Sequence, residues 1–365
     1  MKTDTIETRL ISSLRFPLIV CVVIIHAYYL NIDIENYPIC YKISYFFSQC
    51  ITKVAVPLFM LFSGYLLFYK TETYTKDIYI QKVKKRTHSL LIPYLIWNTL
   101  FLLVYYIIHT FFPELISGKN KLMTNYTITD WLNTYWNTKN INETIYGTPC
   151  PINYPLWFIR DLFILVLFSP ILHWLIKHFK YIFICILGII NICNLTPIMA
   201  GFNHEAIFYF SLGALFSIHK INFAEILKRK ATLYSLLFGI TIILRIALEH
   251  TDITILSHNP ISIFRLMVFV GTFATIAVVA NIISRKDSKD ITTLSRYSFF
   301  IYLYHALPLA FLLKMEVKCT ILNNDIYLTI LYFINIALIT IVGIIAYRLL
   351  NKYCPRLTSI LMGGR

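Results

Sequence analysis

Hydrophobic residues gather along the chain in ten runs, most of them about twenty residues long, with short polar segments between them. A helix that rises about 1.5 Å per residue needs roughly twenty apolar residues to cross about 30 Å of hydrocarbon. The pattern therefore predicts an all-α integral membrane protein, a polytopic bundle of about ten transmembrane helices. The predicted spans are residues 14–32, 45–68, 89–112, 156–176, 181–196, 205–219, 231–249, 259–282, 297–314 and 326–348.

The composition excludes a soluble enzyme. Hydrophobic residues make up 58% of the chain and charged residues 14%, whereas an ordinary soluble domain has roughly 45–50% and about 25%. A chain this apolar also cannot stay solvated as a disordered protein. We therefore expect membrane lipids to surround it.

The distribution of positive charge predicts the orientation. Although the formal net charge is +15, the Lys and Arg residues lie in short clusters between the apolar runs and not on one face, so we expect no nucleic-acid partner. Counted segment by segment, 23 of the 33 fall on the side of the N-terminus and six on the other side. Because cytoplasmic loops are enriched in Lys and Arg, both termini are predicted to be cytoplasmic.

The simplest organisation is one membrane domain over residues 1–350, since we find no internal repeat. A larger outer loop covers residues 113–155, and a short basic cytoplasmic tail covers residues 351–365. The Cys residues show no CxxC spacing, so we expect no metal centre.

Charged side chains inside the predicted spans are candidates for function, because each costs at least ~2.5–3.5 kcal/mol to insert. Some have simpler interpretations: Arg245 and Glu249 lie one helical turn apart and can pair, and Lys53 can extend toward the outer surface. The polar residues in the spans are Lys53, Arg160, Asp161, Arg245, Glu249 and Arg265, together with His26 and His305.

Arg15 and His26 are informative as a pair. Eleven residues at about 100° each amount to three turns plus roughly 20°, so both side chains lie on one helix face, about 16 Å apart along the axis. Taken singly, Arg15 is an ordinary orientation signal and His26 an ordinary packing histidine. Together, an Arg at the cytoplasmic mouth suits a phosphate, and a neutral His at depth suits a general base. A coenzyme A thioester has the matching shape.

Five stretches, in order along the chain, resemble the pattern of the acyltransferase-3 family of integral membrane acyltransferases, which acylate glycans and other cell-envelope acceptors. They are Arg15-x10-His26, VPLFMLFSGY at 56–65, KRTHSLLIPY at 85–94, LWFIRDL at 156–162 and SFFIYLYH at 298–305. The resemblance extends over nearly the whole chain. It implies a multi-pass protein of a bacterial inner membrane, with an acyl-CoA, expected to be acetyl-CoA, as co-substrate.

The resemblance also implies a role for individual residues. His26 would act as general base on a hydroxyl of an envelope glycan or lipid-linked sugar, and Arg160 would stabilise the oxyanion with Asp161 beside it. An acyl-His intermediate is the close variant. The remaining assignments are cofactor binding by Arg15, Lys85 and Arg86, and substrate binding by Trp157 and His305.

Simpler interpretations of two of these sites remain open. Arg160 and Asp161 can be an exposed pair flanking a helix, and His305 can be a core histidine bonded to a backbone carbonyl. The sequence also departs from the family at Ser89, where a second Arg is usual. Lys84, Lys85 or His88 would have to replace that Arg at a cofactor phosphate.

Two other classes of protein compete with an acyltransferase. In a secondary transporter, His26, Arg160, Asp161 and His305 would bind an anion or relay protons, but no inverted repeat is visible. An envelope scaffold would leave the aligned Arg15 and His26 without a purpose. The sequence names neither the acceptor nor the oligomeric state.

Overall fold

The structure is a computed structural model that describes residues 5–29, 32–112, 121–139, 141, 149–249, 260–285, 291–318 and 324–364. These residues form helices, turns and loops, with no strand of a sheet among them. The predicted all-α fold of a polytopic membrane protein is confirmed.

The helices are numbered in chain order. They are α1 (Ile6–His26), α2 (Pro38–Tyr45), α3 (Ala55–Phe68), α4 (Lys76–Arg86), α5 (Ile92–Phe111), α6 (Ile128–Asn133), α7 (Trp157–Leu167), α8 (Ser169–Cys193), α9 (His204–Ile218), α10 (Phe223–Lys228), α11 (Ala231–Glu249), α12 (Pro260–Arg285), α13 (Ser298–Tyr304), α14 (Ala306–Lys318), α15 (Asp325–Tyr353) and α16 (Pro355–Leu361).

The number of full-length spans is smaller than the ten that hydropathy predicts. Within the described residues, seven helices are long and apolar enough to cross a membrane, or eight if the bent pair Thr293–Tyr304 and Ala306–Glu316 is one span. The predicted run 156–176 is divided between α7 and α8, and the run 181–196 is the part of α8 that follows Lys180. The run 205–219 is α9, with only 15 residues.

Local backbone breaks explain these differences. Helix α8 is interrupted at Lys180, which has a left-handed φ of 45°. Helices α2 and α3 are joined by a π-helical turn, Phe46–Cys50, and a 3-10 turn, Ile51–Val54, and a second π-helical turn, Thr87–Leu91, joins α4 to α5. Such turns inside a helix often mark functional sites. A hydropathy average does not detect them.

Contacts between helix ends show that α1 begins and α15 ends at the same end of the bundle. The Arg9 guanidinium donates to the carbonyl of Ile283 (3.3 Å), and α1 packs against the 3-10 helix Ile291–Tyr297. Arg348, near the end of α15, donates to the Tyr297 hydroxyl at 3.0 Å. This arrangement agrees with the predicted placement of both termini on one side.

Contacts at the other ends of these helices form a second level. The Tyr29 hydroxyl, just past α1, donates to the buried carboxylate of Glu316 at 2.7 Å. Asp325, which begins α15, accepts hydrogen bonds from the backbone of Ile39 (2.8 Å) and Cys40 (2.7 Å) at the start of α2. The helices therefore run between two levels.

The residues at the end of α15 and after it pack against the other helices. Helix α15 continues to Tyr353, past the predicted boundary at 350, and α16 is helical. The indole of Trp97 in α5 donates to the Leu361 carbonyl at 3.2 Å, and Met362 is buried. The tail thus packs on the bundle.

Candidate active site

His26 is the last residue of α1, and the polar environment around it is built from three different parts of the chain. Helix α1 starts at an N-cap, Thr5, whose side chain accepts from the backbone of Thr8 at 3.4 Å. The helix ends at His26, earlier than the predicted span end at 32, because Ala27 closes its last turn. His26 is half-buried.

The His305 ring lies against His26. The two ring centroids are 5.3 Å apart with an interplanar angle of 33°. His305 stands between α13 and α14, which are bent by 62° at this point. The bend turns the chain so that a histidine from the far end of the sequence meets the end of α1.

The hydrogen bonds of His305 fix its tautomer. Its Nδ1 lies 2.8 Å from the carbonyl oxygen of Tyr302 and 3.1 Å from that of Ile301. Because carbonyl oxygens only accept, Nδ1 carries the proton and Nε2 of the neutral ring is an acceptor. Nε2 is buried and has no hydrogen-bond partner among the described residues. His305 is therefore both bonded to backbone carbonyls and placed beside His26.

A third ring reaches His26 from the segment before α7. Tyr154 approaches it edge-on, with ring centroids 4.9 Å apart. The preceding residue, Asn153, donates its side-chain amide to the Leu303 carbonyl at 3.1 Å and its backbone N–H to Asn98 Oδ1 at 3.2 Å. These bonds tie the outer segment to α5 and α13 and thereby hold Tyr154 over the histidines.

Arg160 and Asp161 form a buried ion pair at the start of α7. All three guanidinium nitrogens of Arg160 have acceptors: Nε and Nη2 bind Asp161 Oδ1, each at 2.8 Å, Nη1 donates to the Trp136 carbonyl, and Nη2 donates to the Pro149 carbonyl at 3.0 Å. Asp161 also accepts from the backbone N–H of Gly201 at 3.1 Å.

Both side chains are buried, so the interpretation as an exposed flanking pair is wrong. Their hydrogen bonds join α7 to Trp136 and Pro149 and to Gly201 in the turn before α9. Trp157, the first residue of α7, is half-buried and packs edge-on against Phe158, whose ring contacts Tyr302.

The outer segment is also fixed by an ion pair of its own. Thr127 and Asp130 form a capping box at the start of α6, and Lys121 binds Asp130 at 2.7 Å. The hydrogen bonds from Lys121 and Thr127 lower the pKa of the Asp130 carboxyl to about 2. Asp130 therefore stays ionised, and this contact persists, at any physiological pH.

The predicted cofactor residues lie at the other level of the bundle. Arg15 is exposed, Lys85 is exposed in the last turn of α4, and Arg86 is half-buried. Arg15 and Arg86 are close enough to act on each other electrostatically. On the α1 face between Arg15 and His26, Ile19 and Val22 are buried. That face is therefore packed inside the bundle and does not contact lipid.

The position of the missing family Arg is occupied by backbone from the tail. A Cβ on Gly363, whose φ is +64°, would lie 2.7 Å from the Cα of Ser89 and 2.7 Å from the carbonyl oxygen of His88. The glycine is needed for both the φ and the close approach. The tail covers Ser89, while Lys85 stays exposed.

Sequence reasoning missed Tyr154, Asn153 and Asn98. Of these three, Asn98 could have been identified from the sequence, because it is an amide inside an apolar span. Such a side chain is costly to bury unless it is hydrogen-bonded, and Asn98 is fully buried. Among the described residues, no group of three or more His, Cys, Asp and Glu side chains could hold a metal ion.

Comparison with known proteins decides the class. One relative, the succinoglycan biosynthesis protein ExoH of Rhizobium meliloti (strain 1021), is 24% identical over 365 residues, covering 97% of this chain and 92% of its own length. No solved structure matches significantly. The family model described as an acyltransferase domain, that of the acyltransferase-3 family, matches residues 11–349. The chain therefore belongs to the acyltransferase-3 family and is a membrane acyltransferase.

Proposed function

We propose that this enzyme transfers an acyl group, acetyl in the first instance, from a cytoplasmic acyl-CoA to a hydroxyl of a cell-envelope polysaccharide, with His26 as general base. The observation that supports it best is the His26–His305 pair, 5.3 Å apart, inside a bundle whose basic end presents Arg15. The relative from Rhizobium meliloti is named for succinoglycan biosynthesis, which favours a polysaccharide acceptor. Its membrane would be the bacterial inner membrane.

In the proposed reaction, the acceptor hydroxyl oxygen attacks the thioester carbonyl carbon while His26 takes the hydroxyl proton. The tetrahedral intermediate then collapses, the carbon–sulfur bond breaks, and the leaving thiolate receives the proton from His26. In the variant with an acyl-His intermediate, a nitrogen of His26 attacks the carbonyl, the carbon–sulfur bond breaks, and the thiolate leaves as the thiol with the ring proton. The acceptor hydroxyl then attacks the acyl carbon, the carbon–nitrogen bond breaks, and the hydroxyl proton returns to the imidazole. Both routes yield an ester and free coenzyme A.

His305 would orient His26 for this step. Its unprotonated Nε2 can accept the N–H of the neighbouring imidazole, which leaves the other nitrogen of His26 with the lone pair that a base needs. The carbonyls of Ile301 and Tyr302 hold the required tautomer of His305. In this arrangement His305 would orient the base, His26, and the two backbone carbonyls would in turn orient His305.

Arg160 uses four of its five N–H groups on acceptors within the protein, so at most one N–H of Nη1 is left for the oxyanion and we add a second donor. We assign Arg160 and Asp161 to holding the outer segment and thereby Tyr154. The Tyr154 hydroxyl is the donor that we assign to the oxyanion, since its ring contacts His26. Trp157 would line the acceptor side.

Arg15 and Arg86 would bind the cofactor phosphates. Two guanidinium groups that act on each other repel, and a phosphate between them would relieve that repulsion through charge-assisted hydrogen bonds. Lys85 stands nearby on α4 with an exposed ammonium. A pantetheine arm starting there must pass beside Ile19 and Val22, both buried, to reach His26.

The test uses the purified full chain in detergent or nanodiscs with acetyl coenzyme A and a panel of envelope oligosaccharides. Release of free thiol and a matching mass gain on one acceptor are expected, and both should be absent with the His26→Gln variant. Thiol release without any acceptor gain would restrict the activity to hydrolysis. No thiol release with acetyl or longer-chain thioesters would overturn the proposed donor.

A further inference from the structure

Three charged side chains in the bundle, Lys53, Glu205 and Arg265, form a group that the proposed reaction does not use. They come from three elements, the 3-10 turn before α3, the first turn of α9 and the first turns of α12. Glu205 acts electrostatically on both Lys53 and Arg265. The 3-10 turn that carries Lys53 packs against both α1, which ends at His26, and α12, which carries Arg265, and Lys53 acts electrostatically on His26. The group therefore adjoins the candidate active site.

Lys53 is partly accessible. The 3-10 turn Ile51–Val54 interrupts the helix at this residue, and the side chain is half-buried between two buried neighbours, Thr52 and Val54. Among the described residues, its ammonium forms no hydrogen bond and no ion pair within 4.0 Å. A lysine that is inside a bundle, partly accessible and not hydrogen-bonded can bind a ligand.

Hydrogen bonds to three residues hold Arg265 in place. Its Nη1 donates to the Asn191 carbonyl (3.0 Å), to Asn191 Oδ1 (2.8 Å) and to His204 Nε2, and its Nη2 donates to Asn194 Oδ1 at 3.0 Å. All these acceptors are neutral, so the guanidinium charge is not cancelled by them. The side chain is 6% exposed, and its Nε has no partner among the described residues.

The charges of the group do not balance. Arg245 also acts on Lys53 and adds to the positive charge. Lys53 and Arg265 share one carboxylate, that of Glu205. A site of this kind favours an anionic group, because the anion replaces the solvation that the cation has lost.

We propose that Lys53, with Arg265 behind it, forms an anion subsite next to His26 that binds a carboxylate or phosphate of the substrate. The proposal rests on the proposed function and adds to it a charge class for one of the two substrates. The anion is on the acyl group, as in the half-thioester of a dicarboxylic acid, or on the acceptor, as in an acidic or phosphate-linked sugar. A compact ammonium suits either group.

The experiment measures the ratio of kcat/KM for an anionic substrate to kcat/KM for a neutral one. The amount of folded enzyme cancels in this ratio. In the donor arm, kcat/KM is compared for succinyl and acetyl coenzyme A with one neutral oligosaccharide. In the acceptor arm, kcat/KM is compared for a glucuronate-containing and a glucose-only oligosaccharide, and for a sugar linked to a lipid diphosphate, with the thioester that is used best. Each anionic-to-neutral ratio is taken for the wild type and for Lys53→Met.

We expect Lys53→Met to lower one of these ratios about tenfold or more, because a hydrogen bond to a charged group contributes at least that factor in affinity. Lys53→Arg should restore most of the ratio, since it retains the charge. Lys42→Met is the matched control: Lys42 is an exposed lysine in the helix that leads to the same turn, and its ratio should equal that of the wild type. The arm that responds identifies which substrate carries the anion.

Equal ratios for the wild type and Lys53→Met in both arms would overturn the anion subsite, and so would an equal loss in Lys42→Met. Neither result would contradict the proposed function, because the wild type would still transfer acyl groups. A wild type that cleaves no thioester at all would instead overturn the proposed function, on which this subsite depends.

Discussion

His26 and His305 differ in how each ring is held, and this difference assigns their roles. The two backbone carbonyls that accept from Nδ1 restrain His305, so its lone pair stays on Nε2 and points to one place. His26 ends a helix and keeps partial accessibility, which a residue that meets two substrates requires. We therefore assign the proton transfer to His26 and the orientation to His305.

His26→Ala is expected to lower turnover at least about 100-fold, since general-base assistance contributes ~10²–10⁴-fold. His26→Gln should be nearly as poor, because an amide can form hydrogen bonds but cannot take a proton at neutral pH. Initial rates of thiol release measure both. His178→Gln serves as the control, because His178 is an exposed histidine of α8. Near-normal turnover of the Gln variant would reduce His26 to a packing residue.

Arg15→Ala should act mainly on the cofactor. Loss of a guanidinium that binds phosphate is expected to raise the apparent KM for the acyl-CoA about tenfold or more, with a smaller change in kcat. Arg15→Lys should recover part of the affinity as a point charge without the bidentate fork. Arg229→Ala, at an exposed Arg after α10, provides the control. If the KM stayed unchanged in an inserted Arg15→Ala protein, Arg15 would be only an orientation signal.

At this scale the sequence predicts residues whose burial is costly and misses residues whose role depends on a tertiary contact. His26 and Arg15 are candidates from the sequence because a histidine and an arginine on one face of an apolar helix are costly to bury. Tyr154 was missed because a Tyr is ordinary in a chain with 26 of them, and only the bonds of Asn153 place it over His26. Arg160 was found, but its role follows from which atoms accept its hydrogen bonds.

The helix is the scale at which close packing decides the structure. Helices α3 and α9 approach so closely that a Cβ on Gly213 would lie 1.8 Å from the Leu61 carbonyl oxygen, and a Cβ on Gly64 would lie 2.0 Å from that of Phe210. Small residues permit such contact between membrane helices. Since α9 carries Glu205 and α3 follows Lys53, the glycines also set the geometry of the anion subsite.

Gly213→Ala is expected to destabilise the protein, because the methyl group meets backbone, which cannot rotate away. Overpacking typically costs ~1–3 kcal/mol, so the unfolding temperature in detergent should fall by at least a few degrees. Gly239→Ala is the matched control in α11, where a new Cβ has no atom within 4 Å. Thermal unfolding followed by size-exclusion chromatography compares the two. Equal unfolding temperatures would show that α3 and α9 lie further apart.

Hydropathy locates the helices but not their interruptions. Each predicted run overlaps a helix, because twenty apolar residues have no other way to satisfy their backbone in lipid. The 62° bend at His305 and the 3-10 turn at Lys53 depend on which neighbours supply hydrogen bonds, and an average over side chains contains no such information. Both interruptions hold the chemical groups of the two proposed sites.

For the whole molecule, two charge patterns have separate consequences. Positive charge between the helices sets the orientation, and positive charge inside the bundle sets what the cavity binds. The first places Arg15, Lys85 and Arg86 toward the cytoplasm. The second, around Lys53, lies inside the bundle, five residues after Ser48, whose hydroxyl donates to the Ile24 carbonyl of α1 at 2.6 Å. An enzyme with this layout would take its donor from the cytoplasm and meet its acceptor toward the outside, with His26 between the two.

This layout is tested by the orientation of two loops. Helix Lys76–Phe111 is 36 residues long, about 54 Å at 1.5 Å per residue, which exceeds the roughly 30 Å of the hydrocarbon core. Because this helix can cross the membrane, reporters fused at Lys76, at its start, and at Asn137, beyond its end, should lie on opposite sides. The distribution of Lys and Arg predicts that Lys76 is on the cytoplasmic side and Asn137 on the outer side. The side of each position is measured in intact cells with two reporters. Alkaline phosphatase is the outer reporter, active only outside the cytoplasm, and a fluorescent protein is the cytoplasmic one.

The segment before α7 that contains Asn137 contacts the bundle close to the start of α5, where the Tyr94 hydroxyl donates to the Tyr135 carbonyl. A reporter at Asn137 therefore tests from which side this segment enters the bundle. If that segment enters the bundle from the outer face, only the outer reporter is active at Asn137. The same reporter active at both positions would place the two loops on one side. It would then remove the separation between donor and acceptor on which the direction of acyl transfer depends.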